Sequence, residues 1–510
     1  MTTVKRLPRF HGQLANWYDS RSLEAATPVF LSSVDNGNLT CCLWTLKQGA
    51  FELMEHPLFQ PRLFQSIVDN VDIAIEAMND ASCPRDKVSA VENLRGAVHR
   101  LGANPLLWCS AIPKLQAELT SIGRELASGS DASWWLEETQ LKLQDIFEMT
   151  RAFAPWLLPE FAALQCTLPR LFAPEFLARI SINSLPSVYD EIVHAHGLPE
   201  VRELQAGVTG CTCELEALRS RLVTLAADAD ALVDSMDFGL FYDRNQRAIS
   251  IGFDVAEAKL QKSCYDLLAS EARSALFVGI AKNDLPQDAW FQLGRTHTHF
   301  ANRDVLVSWS GTTFEYLMPA LWLKHFPNTL LENSLQGAVD CQRAFFAARG
   351  IPWGTSEGAC PPKQPKQQDA PYDYQAFGLP PLALNPEASN RLVITPYAAA
   401  LALNIQPLTA LQNLRDMSNR GWMGSFGFYE SAEFSATPTD SNQSFEIVHS
   451  WMAHHQGMIL VSICNLLMNS LFQTLFHREV RVEAAARLLH ERPLSLYTRE
   501  LVRETPRTAY

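Results

Sequence analysis

Apolar residues recur every three to four positions through 39–54, 62–79, 86–102, 112–127 and 136–152, the spacing that gives an α-helix one buried face. Pro57, Pro61, Pro84, Pro105 and Pro113 lie between these segments or at their starts, where a missing backbone N–H does least harm. The N-terminal third therefore reads as short-looped helices. Residues 201–236 read as one long helix, or two broken near Gly207 and Gly210. The period then changes. "FGLFYDRNQRAISIGFDV" (238–255) sets aromatic and β-branched residues on either side of a polar turn at 243–247, which predicts a β-hairpin. From Glu257 the helical period returns, and it recurs at 313–325, 332–348, 397–419 and 444–476. The segment "PPKQPKQQDAP" (361–371) has no core-forming residues and is expected to be a solvated loop.

Many helices of similar length joined by short loops predict an all-α chain, either an α-solenoid or a closed α/α barrel; periodicity cannot separate the two. The aromatic and acidic residues favour the barrel, because they gather in connectors such as "NWYDSRS", "VSWSGTTFEYLMP", "PWGTSEG" and "SWMAHHQG". In a barrel, connectors at one end line a central cleft. Such a rim suits sugars, whose C–H faces stack on aromatic rings while their hydroxyls need carboxylate and amide partners.

Composition narrows the classes. The 510 residues, 47% of them hydrophobic, suffice for a large core. With 42 Lys and Arg against 55 Asp and Glu, the formal charge is −13, the wrong sign for tracking phosphates, so nucleic acid is not an expected partner. The first residues lack the apolar stretch of a secretory signal, and no window reaches the roughly 18 apolar residues of a membrane span; the expected location is the cytoplasm, with no membrane insertion. Eleven cysteines, an odd number without a CxxC pair, are expected to be buried free thiols. No cofactor and no metal are expected: His454 and His455 are adjacent, so on a helix they point about 100° apart and do not share an ion. No phosphate-binding or serine-hydrolase motif occurs.

Sugar chemistry needs two carboxyl groups, one to give a proton to the leaving oxygen and one to act as nucleophile or base. Four acids depart from a surface pattern. Glu271 lies in "CYDLLASEARSALFVGIAK", where apolar residues on both sides predict a buried helix; a buried glutamate needs a partner or a function, and Arg273, Lys282 or Arg295 could pair with it. Glu315 sits between Phe314 and Tyr316, and Glu430 follows Phe428 and Tyr429. Glu357 stands in "PWGTSEG", among glycines that permit close approach and outside any helix.

The blocks "FHGQLANWYDSRSLE", "MDFGLFYDRNQRAISIGFDV", "SCYDLLASEARSALFVGIAKNDLPQDAWFQLGR", "VSWSGTTFEYLMPAL", "PWGTSEG", "GFYESAEF" and "SWMAHHQGM" together resemble the transglycosylation (cyclization) domain of cyclic β-1,2-glucan synthases, a glycoside hydrolase group related to endo-β-1,2-glucanases. The blocks are colinear from about residue 9 to about residue 492. The resemblance implies one (α/α)6 barrel over 1–510, with an N-terminal arm at 1–30, the hairpin at 238–255 as an insertion and a tail at 493–510. It implies a linear β-1,2-glucan substrate and an anomer-retaining reaction in which a sugar hydroxyl resolves the glycosyl-enzyme, giving cyclic or redistributed glucans. It assigns Glu271 as acid/base and Glu357 as nucleophile, two carboxyls that a retaining mechanism holds roughly 5 to 5.5 Å apart. Trp17, Tyr18, Asp19, Asp35, Asn38, Tyr265, Asp266, Trp309, Glu315, Trp353, Tyr429, Glu430, His454, His455 and Gln456 would line the glucan subsites. The family's loop reads closer to "PWGISES", so Thr355 replaces an isoleucine and Gly358 a serine, changes expected to alter loop shape and the balance of transfer against hydrolysis. Other parts of a glucan synthase are implied partners, since the family's large synthases also carry a membrane-embedded glycosyltransferase and a phosphorylase-like part. Two alternatives stay open: a stand-alone endo-β-1,2-glucanase, and a non-catalytic glucan-binding part of a split synthase.

Overall fold

The computed structural model describes residues 1–195, 199–301, 303–362, 372–385, 391–424, 426–434 and 445–493. Most of the expected solvated loop at 361–371 and of the tail at 493–510 lies outside them. The chain is mostly helical. Its contacts divide it into two compact units, one of Gly49–Ala226 and one of Met1–Gln48 with Ala227–Tyr510, where the family resemblance implies one barrel domain over 1–510.

In the unit of residues 49–226, the helices Arg62–Asp80, Arg85–Gly102, Trp108–Arg124 and Asp131–Phe153 match the periodic segments closely. Each turns an apolar stripe inward: Phe64, Ile67, Val71, Ala74 and Met78 on the first, Val91, Leu94 and Val98 on the second, at the three-to-four spacing of one helix face. Trp108 and Trp156 are fully buried, and each indole N–H finds a carbonyl oxygen, Leu101 at 3.0 Å and Leu171 at 3.1 Å, so burial leaves no donor unmet.

The other unit mixes helices with small sheets. Among the described residues there are seven antiparallel sheets of two or three short strands, more strand than a single hairpin insertion. The expected hairpin forms, with Tyr242–Asp243 paired to Ala248–Ser250. Its last part, Gly252–Asp254, joins a different sheet beside Phe30–Ser32. Three expected helices need correction. The segment after Glu257 forms strands at Lys259–Leu260 and Cys264–Tyr265, and helix begins only at Arg273. The 397–419 pattern breaks at Pro407 into Pro396–Leu401, a 3-10 turn and Pro407–Asn419, since proline cannot supply the N–H that a continuous helix needs. The 444–476 pattern opens as the strand Phe445–Val448 before the helix Ala453–Leu467. Pro199–Ser235, by contrast, is one unbroken helix despite Gly207 and Gly210.

All eleven cysteines are free thiols, but only five are buried as expected; Cys83, Cys264 and Cys464 are half-buried, and Cys42, Cys166 and Cys213 are exposed. Among the described residues no single helix is long and apolar enough to cross a membrane, although Ala453–Leu467 and Leu471–His477, bent by 90°, reach that hydropathy together.

Candidate active site

A cleft of about 590 Å³ opens in the unit formed by residues 1–48 and 227–510, and Glu271 and Glu357 both line it. Tyr265, Asp266, Trp309 and Glu315 share its wall with Ser270, Ser310 and Thr312. Trp309 is 60% exposed there, a ring face available to a sugar.

Glu271 is not within a helix. Leu268 N–H donates to Gly294 O at 3.0 Å and Gly294 N–H to Asp266 O at 2.6 Å, which holds 266–268 extended. A turn over 270–272 then leads into the buried helix Arg273–Ala281. Glu271 therefore stands just before the helix, at the cleft. The three cations expected to pair with it are engaged elsewhere, and Lys262 lines the same cleft. Arg273 donates to the carbonyl oxygens of Leu268 and Tyr316, Lys282 pairs with Asp284 at 2.7 Å, and Arg295 pairs with Glu491 at 2.6 Å. Glu271 receives one long hydrogen bond, 3.3 Å from the Tyr265 phenol. Burial, together with the negative charges of Glu357, Asp35 and Glu315, pushes its carboxyl up to about 8.

Glu357 follows the loop 352–356, which is buried throughout. Gly354 has φ +132°, and a Cβ there would lie 3.1 Å from Thr395 O, so the position needs glycine both for its dihedral and for the close approach. Trp353 is only 7% exposed. Its N–H donates to Asn413 Oδ1 at 3.1 Å and its carbonyl accepts from Asn413 Nδ2 at 2.7 Å, which makes it a core residue and not a glucan subsite. Thr355 is also interior, its hydroxyl donating to Val393 O at 2.9 Å. Neither Thr355 nor Gly358 lines the cleft. The Glu357 carboxyl is raised by burial, and that rise is opposed by the Tyr374 phenol, which donates to Oε1 at 2.9 Å, and by the charge of His455.

Glu315 serves a turn as well as the cleft. With Thr312 it closes a capping box on the helix Thr313–Leu317, and its oxygens accept from Ser308 Oγ, Ser310 N–H and Thr312 N–H within 3.2 Å.

The remaining candidates lie off the cleft wall. Trp17 is 77% exposed. The Tyr18 phenol donates to Pro8 O and accepts from Ala15 N–H, and Asp19 accepts from the N–H groups of Arg21 and Ser22, so both shape the N-terminal arm. Asp35 is exposed, yet close enough for its charge to raise both glutamates; Asn38, one turn along the same helix, keeps a buried Oδ1 with no protein partner. Tyr429 packs on His449 and Trp451, and Gln456 donates to Phe428 O at 2.9 Å. His454 is exposed and His455 buried. Glu430 is 2% exposed, with both oxygens within 2.9 Å of His455 Nδ1; Glu430 and His455 face each other behind the cleft instead of lining it. Tyr374, absent from the sequence candidates, touches both Glu357 and His455. Among the described residues no group of three or more His, Cys, Asp or Glu is placed to hold a metal ion.

Over 493 residues, 96% of its length, the chain is 32% identical to the cyclic beta-(1,2)-glucan synthase NdvB of Rhizobium meliloti (strain 1021). It resembles one segment of that synthase. The chain spans 16% of the synthase's length. Residues 264–479, which hold both glutamates, match the family model named Glycoamylase. Two solved structures resemble the chain more distantly. One is an endo-beta-1,2-glucanase from Chitinophaga pinensis in complex with sophorotriose and glucose, at 17% identity and TM-score 0.38 over 53% of this chain and 65% of that one. The other is an endo-beta-1,2-glucanase from Talaromyces funiculosus with sophorose, at 12% identity and TM-score 0.41 over 79% and 80%.

Proposed function

We propose that this chain processes linear β-1,2-glucan as an anomer-retaining transglycosylase. Glu357 attacks the anomeric carbon while Glu271 gives its proton to the departing glycosidic oxygen. Glu271 then takes a proton from an incoming sugar hydroxyl, which displaces Glu357 and closes a ring or redistributes the chain. The observation that carries the reading is the unlike state of two carboxyls on one cleft. Glu271 is pushed up to about 8 with no cation paired to it, which suits an acid, whereas Glu357 holds a phenol donor on one oxygen, which suits a nucleophile. The substrate class rests on the likeness to the synthase. The reading includes the family's (α/α)6 barrel, supported by the predominance of helix.

The test is to incubate the chain with linear β-1,2-glucan and separate products by size and by reducing ends. Cyclic or redistributed products without new reducing ends are expected. A steady rise in reducing ends would assign the chain to the hydrolases, and unchanged glucan would end the enzymatic reading.

A further inference from the structure

We infer that Glu430, His455 and Tyr374 form a hydrogen-bonded relay in which a buried imidazolium fixes Tyr374 as a donor to Glu357, turning that carboxylate so that Oε2 faces the sugar. The inference rests on Glu357 being the nucleophile.

Counting hydrogens gives the direction of each bond. A phenol has one hydrogen, and Tyr374 directs it to Glu357 Oε1 at 2.9 Å. Its 3.3 Å contact with His455 Nε2 is then a hydrogen bond only if Nε2 carries a hydrogen. On the other side of the ring, Nδ1 lies 2.8 and 2.9 Å from the two Glu430 oxygens, which only accept when ionised, so Nδ1 carries a hydrogen as well. His455 is thus doubly protonated, and Glu430 is its counter-ion. Both side chains are 1% exposed, and a buried ion pair of this kind persists only with its remaining donors and acceptors satisfied. They are satisfied here: Ala359 N–H donates to Glu430 Oε1 at 3.2 Å.

The groups that face the imidazole come from four elements. They are Glu430 beside the strand Ser431–Phe434, Tyr374 in the strand Asp373–Gln375, Tyr397 in the helix Pro396–Leu401 and His454 on its own helix Ala453–Leu467. Tyr397 stacks on the ring at 3.8 Å and 14°, a geometry that favours a cation, and its phenol reaches Ser356 Oγ and Glu357 O, each at 2.9 Å. One tyrosine therefore holds the imidazole and the other end of the Glu357 residue together. His454, 4.0 Å away ring to ring, keeps part of its surface open, yet the partial desolvation of its ring and the neighbouring His455 hold it down to about 4, so it adds no competing positive charge near neutral pH.

In the glycosylation step the new bond forms from Glu357 Oε2 to the anomeric carbon, the bond to the leaving oxygen breaks, and the Glu271 proton ends on that oxygen. Oε1 becomes the ester carbonyl and keeps its hydrogen bond from Tyr374. No proton moves along the relay, and its three residues are positioning residues.

The test uses Tyr374→Phe, Glu430→Gln, the double variant and Glu357→Gln in the full chain, assayed for kcat and KM on linear β-1,2-glucan across pH, with thermal melts. Tyr374 is 44% exposed, so its substitution is expected to fold. Each single relay variant should lower kcat on the order of 10- to 100-fold with little change in KM. The double variant should be no worse than Tyr374→Phe alone, because both substitutions interrupt one path. Losses that multiply in the double variant would overturn the relay, as would a Tyr374→Phe enzyme with normal kcat. Full activity in Glu357→Gln would overturn the nucleophile assignment beneath it, and only that result would do so.

Discussion

The two sides of the cleft treat the same side chain in opposite ways. At Glu271, Arg273, Lys282 and Arg295 are bound elsewhere and a single tyrosine stands 3.3 Å away. At Glu357, a phenol backed by an imidazole and a second carboxylate makes a 2.9 Å hydrogen bond. Burial, with the negative charges of Asp35 and Glu315, raises both carboxyls. What separates them is the second layer, because a donor aimed at a carboxylate favours its ionised form and an approaching negative charge favours the protonated form of the other. The proposed roles of acid and nucleophile draw on that difference.

The largest effects should come from erasing one side of this contrast. Glu271→Gln and Glu357→Gln should each lower turnover of β-1,2-glucan by about 10²- to 10⁴-fold, read as product per time at saturating substrate. Either variant retaining full activity would show that its carboxyl is not needed. Next in size is the support of the Glu357 loop. Trp353→Ala empties a core site and should cost about 3–5 kcal/mol of stability by denaturant titration, whereas a rim residue would leave stability unchanged.

A smaller effect sharpens the Glu271 side. Folded Glu271 keeps its proton up to about 8, while an ordinary glutamate releases it near 4.5. The folded chain therefore binds more protons between those values, and the group destabilises the fold progressively as pH rises from 4.5 to about 8. Glu271→Gln should match the parent's melting temperature below pH 4.5 and exceed it by a few degrees near pH 8, by differential scanning fluorimetry. A gain that shrinks with rising pH would contradict this assignment. The smallest expected change is at the rim, where Trp309→Ala should raise KM roughly two- to tenfold with kcat nearly unchanged.

Both glutamates of the candidate site stand out in the sequence as acids out of keeping with their neighbours, and the resemblance pairs them. Glu271 does not sit in the buried helix that its neighbours predict. Its apolar surroundings do reflect burial, but Cys264–Tyr265 pairs with Ile249–Ser250 and 266–268 with Gly294, which leaves the carboxyl at a turn, a tertiary effect invisible to periodicity. The helices of 49–226 were read well because each packs one continuous stripe, whereas the short strands of the other unit pair with partners far along the chain. Phe30–Ser32, for example, meets Gly252–Asp254. Glu430 and His455 were found but assigned to the substrate, since sequence does not distinguish a polar pair that faces a sugar from one that faces inward. Tyr374 was missed entirely. It follows the proline- and glutamine-rich stretch and meets His455 across 81 residues, and an isolated tyrosine beside a loop carries no local signal of that role.

Gly358 ties the loop that carries Glu357 to the seat of Glu430. A Cβ at that position would lie 2.8 Å from Thr395 Cγ2 and 3.2 Å from Glu430 Oε1, so any side chain at 358 obliges Thr395 or Glu430 to shift. Positions 358, 395 and 430 therefore form one unit for redesign, and a change at the first is expected to succeed only together with a change at one of the other two.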